Sequence, residues 1–192
     1  MNYLAHAYLS FNNPELQIGN LLGDFVKGNK HVAYSPRIQE GILLHRFIDS
    51  YTDQHPLILE SIKVFKPAFR LSAGVFVDIL FDHFLANDPR YFTQESLYTF
   101  THSIYQNITL HEHVLDEKMR TFFGHMRDYN WLYLYKDMSG IEKSIRGICK
   151  RNPILGDANV AMQIIEEKYD ILQLLYSDFF PTLEQVIFEK VQ

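Results

Sequence analysis

Residues 41–53 read Gly41-Ile-Leu-Leu-His45-Arg-Phe-Ile-Asp49-Ser-Tyr-Thr-Asp53. No period-2 alternation runs through them, and the stretch reads as helix. His45 and Asp49 stand four apart, so in a helix their side chains leave one face, a turn apart. The flanking Ile42, Leu43, Leu44, Phe47 and Ile48 make this helix largely buried. An imidazole and a carboxylate cost free energy there unless each finds a partner. A bound metal ion is one such partner. An ion pair or hydrogen bond is the other, and this helix alone is satisfied by that simpler answer.

Working outward, cap-and-proline pairs punctuate the chain. Ser35-Pro36 opens the helix of His45. Asn13-Pro14 opens an earlier one through Ile18, Leu21, Leu22, Phe25 and Val26, with Gly28 as its stop and Asp24 inside it. Residues 3–10 form a short apolar segment carrying His6. Pro56 starts a helix ending near Arg70, and Ser72 caps the next, from Ala73 to Ala86. Residues 94–109 and 112–127 read as two more, and Tyr129 to Met138 as a short helix or packed loop. Ser139-Gly-Ile-Glu142 matches a capping box for a helix to about Arg151. Asp157 to Asp178 reads as one long helix, with Pro181 beginning the last. No period-2 run rich in β-branched residues appears. The expectation is an all-α, single-domain bundle of eight to ten helices over residues 1–192.

The bulk numbers suit a globular protein. Of 192 residues, 47% are hydrophobic, 15% aromatic and 21% charged, enough for one full core. The net charge of −5 gives no argument for nucleic acid or an anionic membrane. A single cysteine, Cys149, excludes an internal disulfide and fits a reducing compartment. No basic leader and no membrane-length apolar run is present, so the expected location is the cytoplasm.

Three further places carry chemistry. Asp78, Asp82 and His83 lie in Val75-Phe-Val-Asp78-Ile-Leu-Phe-Asp82-His83-Phe-Leu85, apolar almost all round and free of Lys and Arg. Two carboxylates on one buried face repel unless a proton or cation sits between them. Asp24 lies among apolar residues with no basic residue before Lys27, and His6 sits in Leu4-Ala-His6-Ala-Tyr8. Together these segments bring carboxylate and imidazole inward. Such donors favour Mn2+, Mg2+ or Fe over a structural zinc, and no Cys serves as soft ligand. A metal of this kind activates water and polarises a phosphoryl oxygen, so phosphoester hydrolysis is the natural reaction class. His31, His55, His102, His111, His113 and His125 sit in polar contexts and read as solvent-facing. No Gly-rich phosphate loop, nucleophile elbow or cysteine motif is present.

The segments Met1-Asn-Tyr-Leu-Ala-His6, Gly19-Asn-Leu-Leu-Gly-Asp-Phe-Val-Lys-Gly28, Gly41 to Asp49 with Thr52-Asp53, and Asp78 to Leu85 resemble the acyl carrier protein phosphodiesterase family. A looser likeness runs through 133–138 and 147–153. The resemblance implies hydrolysis of the phosphodiester that links phosphopantetheine to a serine of acyl carrier protein. It also implies a divergent helical phosphohydrolase of the HD type using Mn2+. On that reading Asp24, His45, Asp49, Asp82 and His83 form the metal centre, with His6 and Asp78 as ligands or close neighbours. Asp24, His45, Arg46 and Asp82 are the catalytic candidates, Arg46 by gripping a phosphate oxygen or else by pairing with Asp49 or Asp53. The order departs from an adjacent His-Asp: the adjacent pair is Asp82-His83 and the ordered pair is spaced. Phe47 stands where the family pattern has Arg, and Gly23, where it has Ala, reads as a minor change.

The partner implied is acyl carrier protein, small and acidic. Lys63, Lys66 and Arg70 form one basic stripe, Lys143, Arg146 and Lys150 another, and Lys27 and Lys30 follow Asp24. A phosphohydrolase acting on another small phosphoester or nucleotide fits the same metal chemistry. A non-catalytic helical module fits if the buried His and Asp merely pair.

Overall fold

The computed structural model describes residues 1–192, and helix is its only regular structure. In chain order the helices are α1 (Tyr3–Tyr8), α2 (Pro14–Leu22), α3 (Pro36–Gln54), α4 (Pro56–Phe69), α5 (Ala73–Asn87), α6 (Gln94–Leu110), α7 (Glu117–Asp128), α8 (Trp131–Leu134), α9 (Met138–Arg151) and α10 (Ala158–Val191). Ten α-helices without a strand meet the expectation from periodicity. Proline stands at the first turn of α2, α3 and α4, where its missing N–H costs nothing. The Asn13 side chain accepts from Leu16 N at 3.0 Å, as its cap position predicts.

One core of 49 buried hydrophobic residues runs through the bundle, so burial rather than helix propensity holds these short helices. α5 lies against α1, α4, α9 and α10, which explains its lack of a polar stripe. Its Phe76, Phe81 and Phe84 are almost wholly buried. Each such side chain contributes about 1.5–3 kcal/mol relative to an exposed one. No helix is long and apolar enough to cross a membrane.

The contact that positions the site is α2 against α3. A Cβ on Gly19 would collide with the Ile38 carbonyl, and one on Gly41 with the Leu16 carbonyl. The helices therefore touch backbone to backbone, and Gly41 presses the following turn, with His45, onto the end of α2.

Four boundaries differ from expectation. α2 ends at Leu22 instead of running to Val26, because the His45 ring occupies the Asn20 carbonyl that the amide of residue 24 would need. Asp24 thus lies in a turn rather than inside a helix. α7 begins at Glu117, after a short 3-10 turn over Glu112–Val114. α9 starts at Met138 behind Asp137, so Ser139 is inside the helix and the capping box does not form. α10 runs unbroken for 34 residues through Pro181. Phe179, Phe180, Leu183 and Ile187 are fully buried on both sides of that proline, and their packing overrides its missing hydrogen bond.

Candidate metal centre

Three segments converge beside the Gly19–Gly41 crossing. α1 brings His6, the turn after α2 brings Asp24, and α3 brings His45 and Asp49. His45 Nε2 lies 3.0 Å from Asp49 Oδ2 and 3.6 Å from Asp24 Oδ1. His6 Nε2 lies 3.2 Å from the other Asp49 oxygen. The two imidazoles stack, with centroids 4.1 Å apart and planes 21° apart. Both histidines are buried, while the Asp49 and Asp24 side chains are 40% and 56% exposed, so one side of the cluster faces solvent.

Asn20 orients both rings. Its side-chain oxygen is 2.7 Å from His6 Nδ1, and its backbone oxygen is 2.8 Å from His45 Nδ1. Its amide nitrogen donates to the His6 carbonyl at 2.7 Å, which fixes which end of the amide is oxygen. Both ring partners are acceptors, so both Nδ1 atoms carry hydrogen and each Nε2 turns toward the carboxylates.

This geometry leaves one contact unsatisfied. Burial first, and then the neighbouring His45, hold His6 below its ordinary pKa, so it is neutral. Its Nε2 lone pair therefore faces a carboxylate oxygen, and this buried atom makes no hydrogen bond. Two electron-rich atoms in that position call for a cation between them. One donor atom each from His6, His45 and Asp49 lie within 4.8 Å of one another. Ligands about 2.1 Å from a common ion stand about 3–4.2 Å apart, so a small adjustment closes this set on a divalent cation.

Charge supports the same reading. Burial alone would lower the His45 pKa, but the Asp24 and Asp49 carboxylates push it up to about 9. Burial would raise Asp49, yet the protonated His45 holds its carboxyl far below the usual range. His45 likewise holds Asp24 low. With protons as the only cations, His45 carries the charge that neutralises the site. The Tyr3 hydroxyl donates to Asp24 Oδ2 at 3.2 Å, and burial followed by that carboxylate drives the phenol above its usual range.

The remaining expected residues lie elsewhere. Asp82 is fully buried, and its two oxygens accept from Leu4 N at 2.7 Å and Ala5 N at 3.2 Å. It caps α1 and is no member of the cluster, since both oxygens serve unpaired first-turn amides. Asp78 pairs with the Met1 ammonium at 2.9 Å. His83 is held by the Tyr135 carbonyl at 2.7 Å and the Tyr169 hydroxyl at 2.8 Å. Arg46 donates to the Val26 and Gly28 carbonyls at 2.9 and 2.7 Å, so it pins the chain after Asp24 and pairs with neither Asp49 nor Asp53. Gly23 is not a minor position: a Cβ there would fall within the His45 ring. Sequence reasoning passed over Asn20 and Tyr3, although both lie inside the motifs that carried the resemblance.

The chain also resembles known proteins along its length. A family model described as acyl carrier protein phosphodiesterase matches residues 1–183. A protein of that name from Photorhabdus laumondii subsp. laumondii is 34% identical over 182 residues, 94% of this chain and 92% of its own. One from Yersinia enterocolitica is 32% identical over 184 residues, 95% of each chain. One from Salmonella agona is 33% identical over 191 residues, again 95% of each. No solved structure matches the chain. The match over residues 1–183 spans all three segments of the His–Asp cluster, and the chain belongs to the acyl carrier protein phosphodiesterase family.

Proposed function

We propose that this chain is a divalent-metal-dependent phosphodiesterase acting as one domain on holo acyl carrier protein. It would hydrolyse the phosphodiester between phosphopantetheine and the carrier's serine, giving apo carrier and free phosphopantetheine. The reading rests on the names of its relatives. The observation that carries it is the His6 Nε2 lone pair facing Asp49 across a gap that suits a cation.

His6, His45 and Asp49 would hold the ion, and this imidazole and carboxylate set suits Mn2+, with Mg2+ or Fe as weaker candidates. The bound ion would supply a polarised phosphoryl oxygen and a water of lowered pKa. Asp24 stands at the open side of the cluster, oriented by the Tyr3 hydroxyl. It would take the proton of the attacking water as general base. Asn20 keeps both Nε2 atoms turned inward during this work.

An acidic protein partner finds cations near the open side. Lys27 and Lys30 are exposed on the segment after Asp24, and Lys143 and Arg151 line a cavity next to Tyr3. Lys63 and Arg146 are engaged by Glu60 and Glu142, which weakens those two stripes as docking faces. The free thiol Cys149 and the lack of a membrane-crossing helix support a cytoplasmic location. Intact-mass spectrometry of holo carrier protein incubated with the enzyme and Mn2+ tests the activity. Conversion to the apo mass, abolished by EDTA, is the expected result. An unchanged carrier with metal present would overturn the reading.

A further inference from the structure

The cavity that shares Tyr3 with the metal centre has a volume of about 440 Å3. That falls within the roughly 300–1,000 Å3 of small-molecule clefts. Three aromatic rings form one wall in sequence. Tyr3 lies 5.3 Å from Phe122, and Phe122 lies 5.6 Å from Trp131, centroid to centroid. The hydroxyl at the near end of this wall touches Asp24. Ile148 and Leu134 add further apolar surface, while Asn2, Ser144 and Lys143 supply a few polar groups. The cavity also opens on a wider groove through the shared Phe122, Trp131 and Arg151.

We infer that this cavity receives the pantetheine arm of the substrate, a deepening that rests on the function proposed above. A ligand whose phosphorus sits by Asp24 must send its organic arm away from the cluster, and the Tyr3 ring leads from that carboxylate into the cavity. The arm is a chain of apolar segments joined by amides and a hydroxyl. A mostly apolar cleft with sparse polar groups is complementary to such a chain. The open groove beyond leaves room for the thiol end. Recognition of the arm here would let the enzyme distinguish holo carrier from an ordinary phosphoserine protein, because binding energy gathered away from the reacting atoms contributes to specificity.

Gly147 gives access to the question. It lines the cavity on α9, and a Cβ there would meet only the far end of the Arg151 side chain, at 3.5 Å. Gly147→Leu therefore fills the space from a helix position where leucine is the better helix former. Trp131 is the chain's single tryptophan, so its fluorescence reports this wall, shared by the cavity and the adjoining groove, and needs no turnover.

The experiment titrates 4′-phosphopantetheine into the wild-type protein and Gly147→Leu, both loaded with Mn2+, following Trp131 emission. Melting temperature and Mn2+ binding are measured for each variant. The expected result is a saturable change in the wild type and at least tenfold weaker binding in Gly147→Leu, with melting and metal binding retained. KM for holo carrier should rise by a similar factor. Equal titrations for the two proteins, or equal KM, would overturn the cavity assignment while the phosphodiesterase reading stands. If Gly147→Leu fails to fold, Trp131→Phe and Ser144→Leu replace it, with KM as the readout. A raised KM then supports the cavity assignment, and an unchanged KM in both variants overturns it. A wild type that leaves holo carrier intact would instead overturn the phosphodiesterase reading itself.

Discussion

His6 and His45 stack face to face 4.1 Å apart, each ring held at Nδ1 by an oxygen of Asn20 and each offering Nε2 to Asp49. Two imidazolium rings in that arrangement repel, so the pair accepts one proton or one metal ion in common. His45 is raised from 6.5 to about 9. The stability its protonation provides is full below pH 6.5 and lost as pH rises through about 9. Asp82 is raised from 3.8 to about 7 by burial, against the pull of the Leu4 and Ala5 amides, and its contribution falls in the same direction over lower pH. Metal-free protein should lose on the order of 2 kcal/mol between pH 6.5 and 9, allowing for the half-exposed partner carboxylates. Calorimetry in EDTA checks this. Mn2+ competes with the proton for Nε2, so its affinity should rise across the same window. A melting temperature that does not change with pH would contradict the charge assignment.

Asn20 should matter to metal binding without touching the metal. Asn20→Ala removes the acceptor for His6 Nδ1 and the donor to the His6 carbonyl and Ser10 Oγ. Loss of such outer partners costs about 10–100-fold in metal affinity. The buried groups left unpaired cost about 1–3 kcal/mol. Calorimetric Mn2+ titration and chemical denaturation measure the two effects separately.

Gly23→Ala should displace His45. The new methyl would occupy the ring's present position, and His45 is also tied to Asn20 and Asp49. Overpacking of this kind costs about 1–3 kcal/mol. The ring proton resonances of His45 should shift, and Mn2+ affinity should fall. An undisturbed His45 spectrum would show that the α2 turn yields instead.

Asp82→Ala should act on the fold first. It leaves two amides of α1 without acceptors, at a cost of about 1–3 kcal/mol. Asp82→Asn keeps one acceptor and should lie between alanine and the native residue in melting temperature. If Asp82→Ala instead removed metal with no loss of stability, its role as a cap of α1 would be wrong.

These residues mark how far the sequence could be read. Asn13-Pro14 and Pro56 foretold helix starts because caps and first-turn prolines act locally. His45 and Asp49 were legible because a four-residue spacing fixes a shared face, and the burial of His45 followed from Ile42, Leu44 and Ile48. His6 and Asp24 stood out as isolated polar residues among apolar neighbours. Asp78, Asp82 and His83 raised the same signal, yet α1 and its terminal ammonium land on α5 and satisfy two of them. That is a tertiary fact no spacing reveals. The same holds for Arg46, whose partners lie 18 and 20 residues earlier in the chain. Asn20 was missed because an amide gives no charge pattern, and its role depends on two rings from other helices. Pro181 misled because burial on both sides of it outweighs one lost hydrogen bond.

The most direct test of the metal centre is a Mn2+ titration followed by electron paramagnetic resonance, comparing the wild-type protein with folded Asp49→Ala. Asp49 meets both Nε2 atoms, so its loss dismantles the donor set while α3 stays intact. Wild-type protein should remove the sharp signal of free Mn2+, and Asp49→Ala should leave it in place. Equal uptake by the two proteins, or no uptake by the wild type, would contradict a metal centre built on His6, His45 and Asp49.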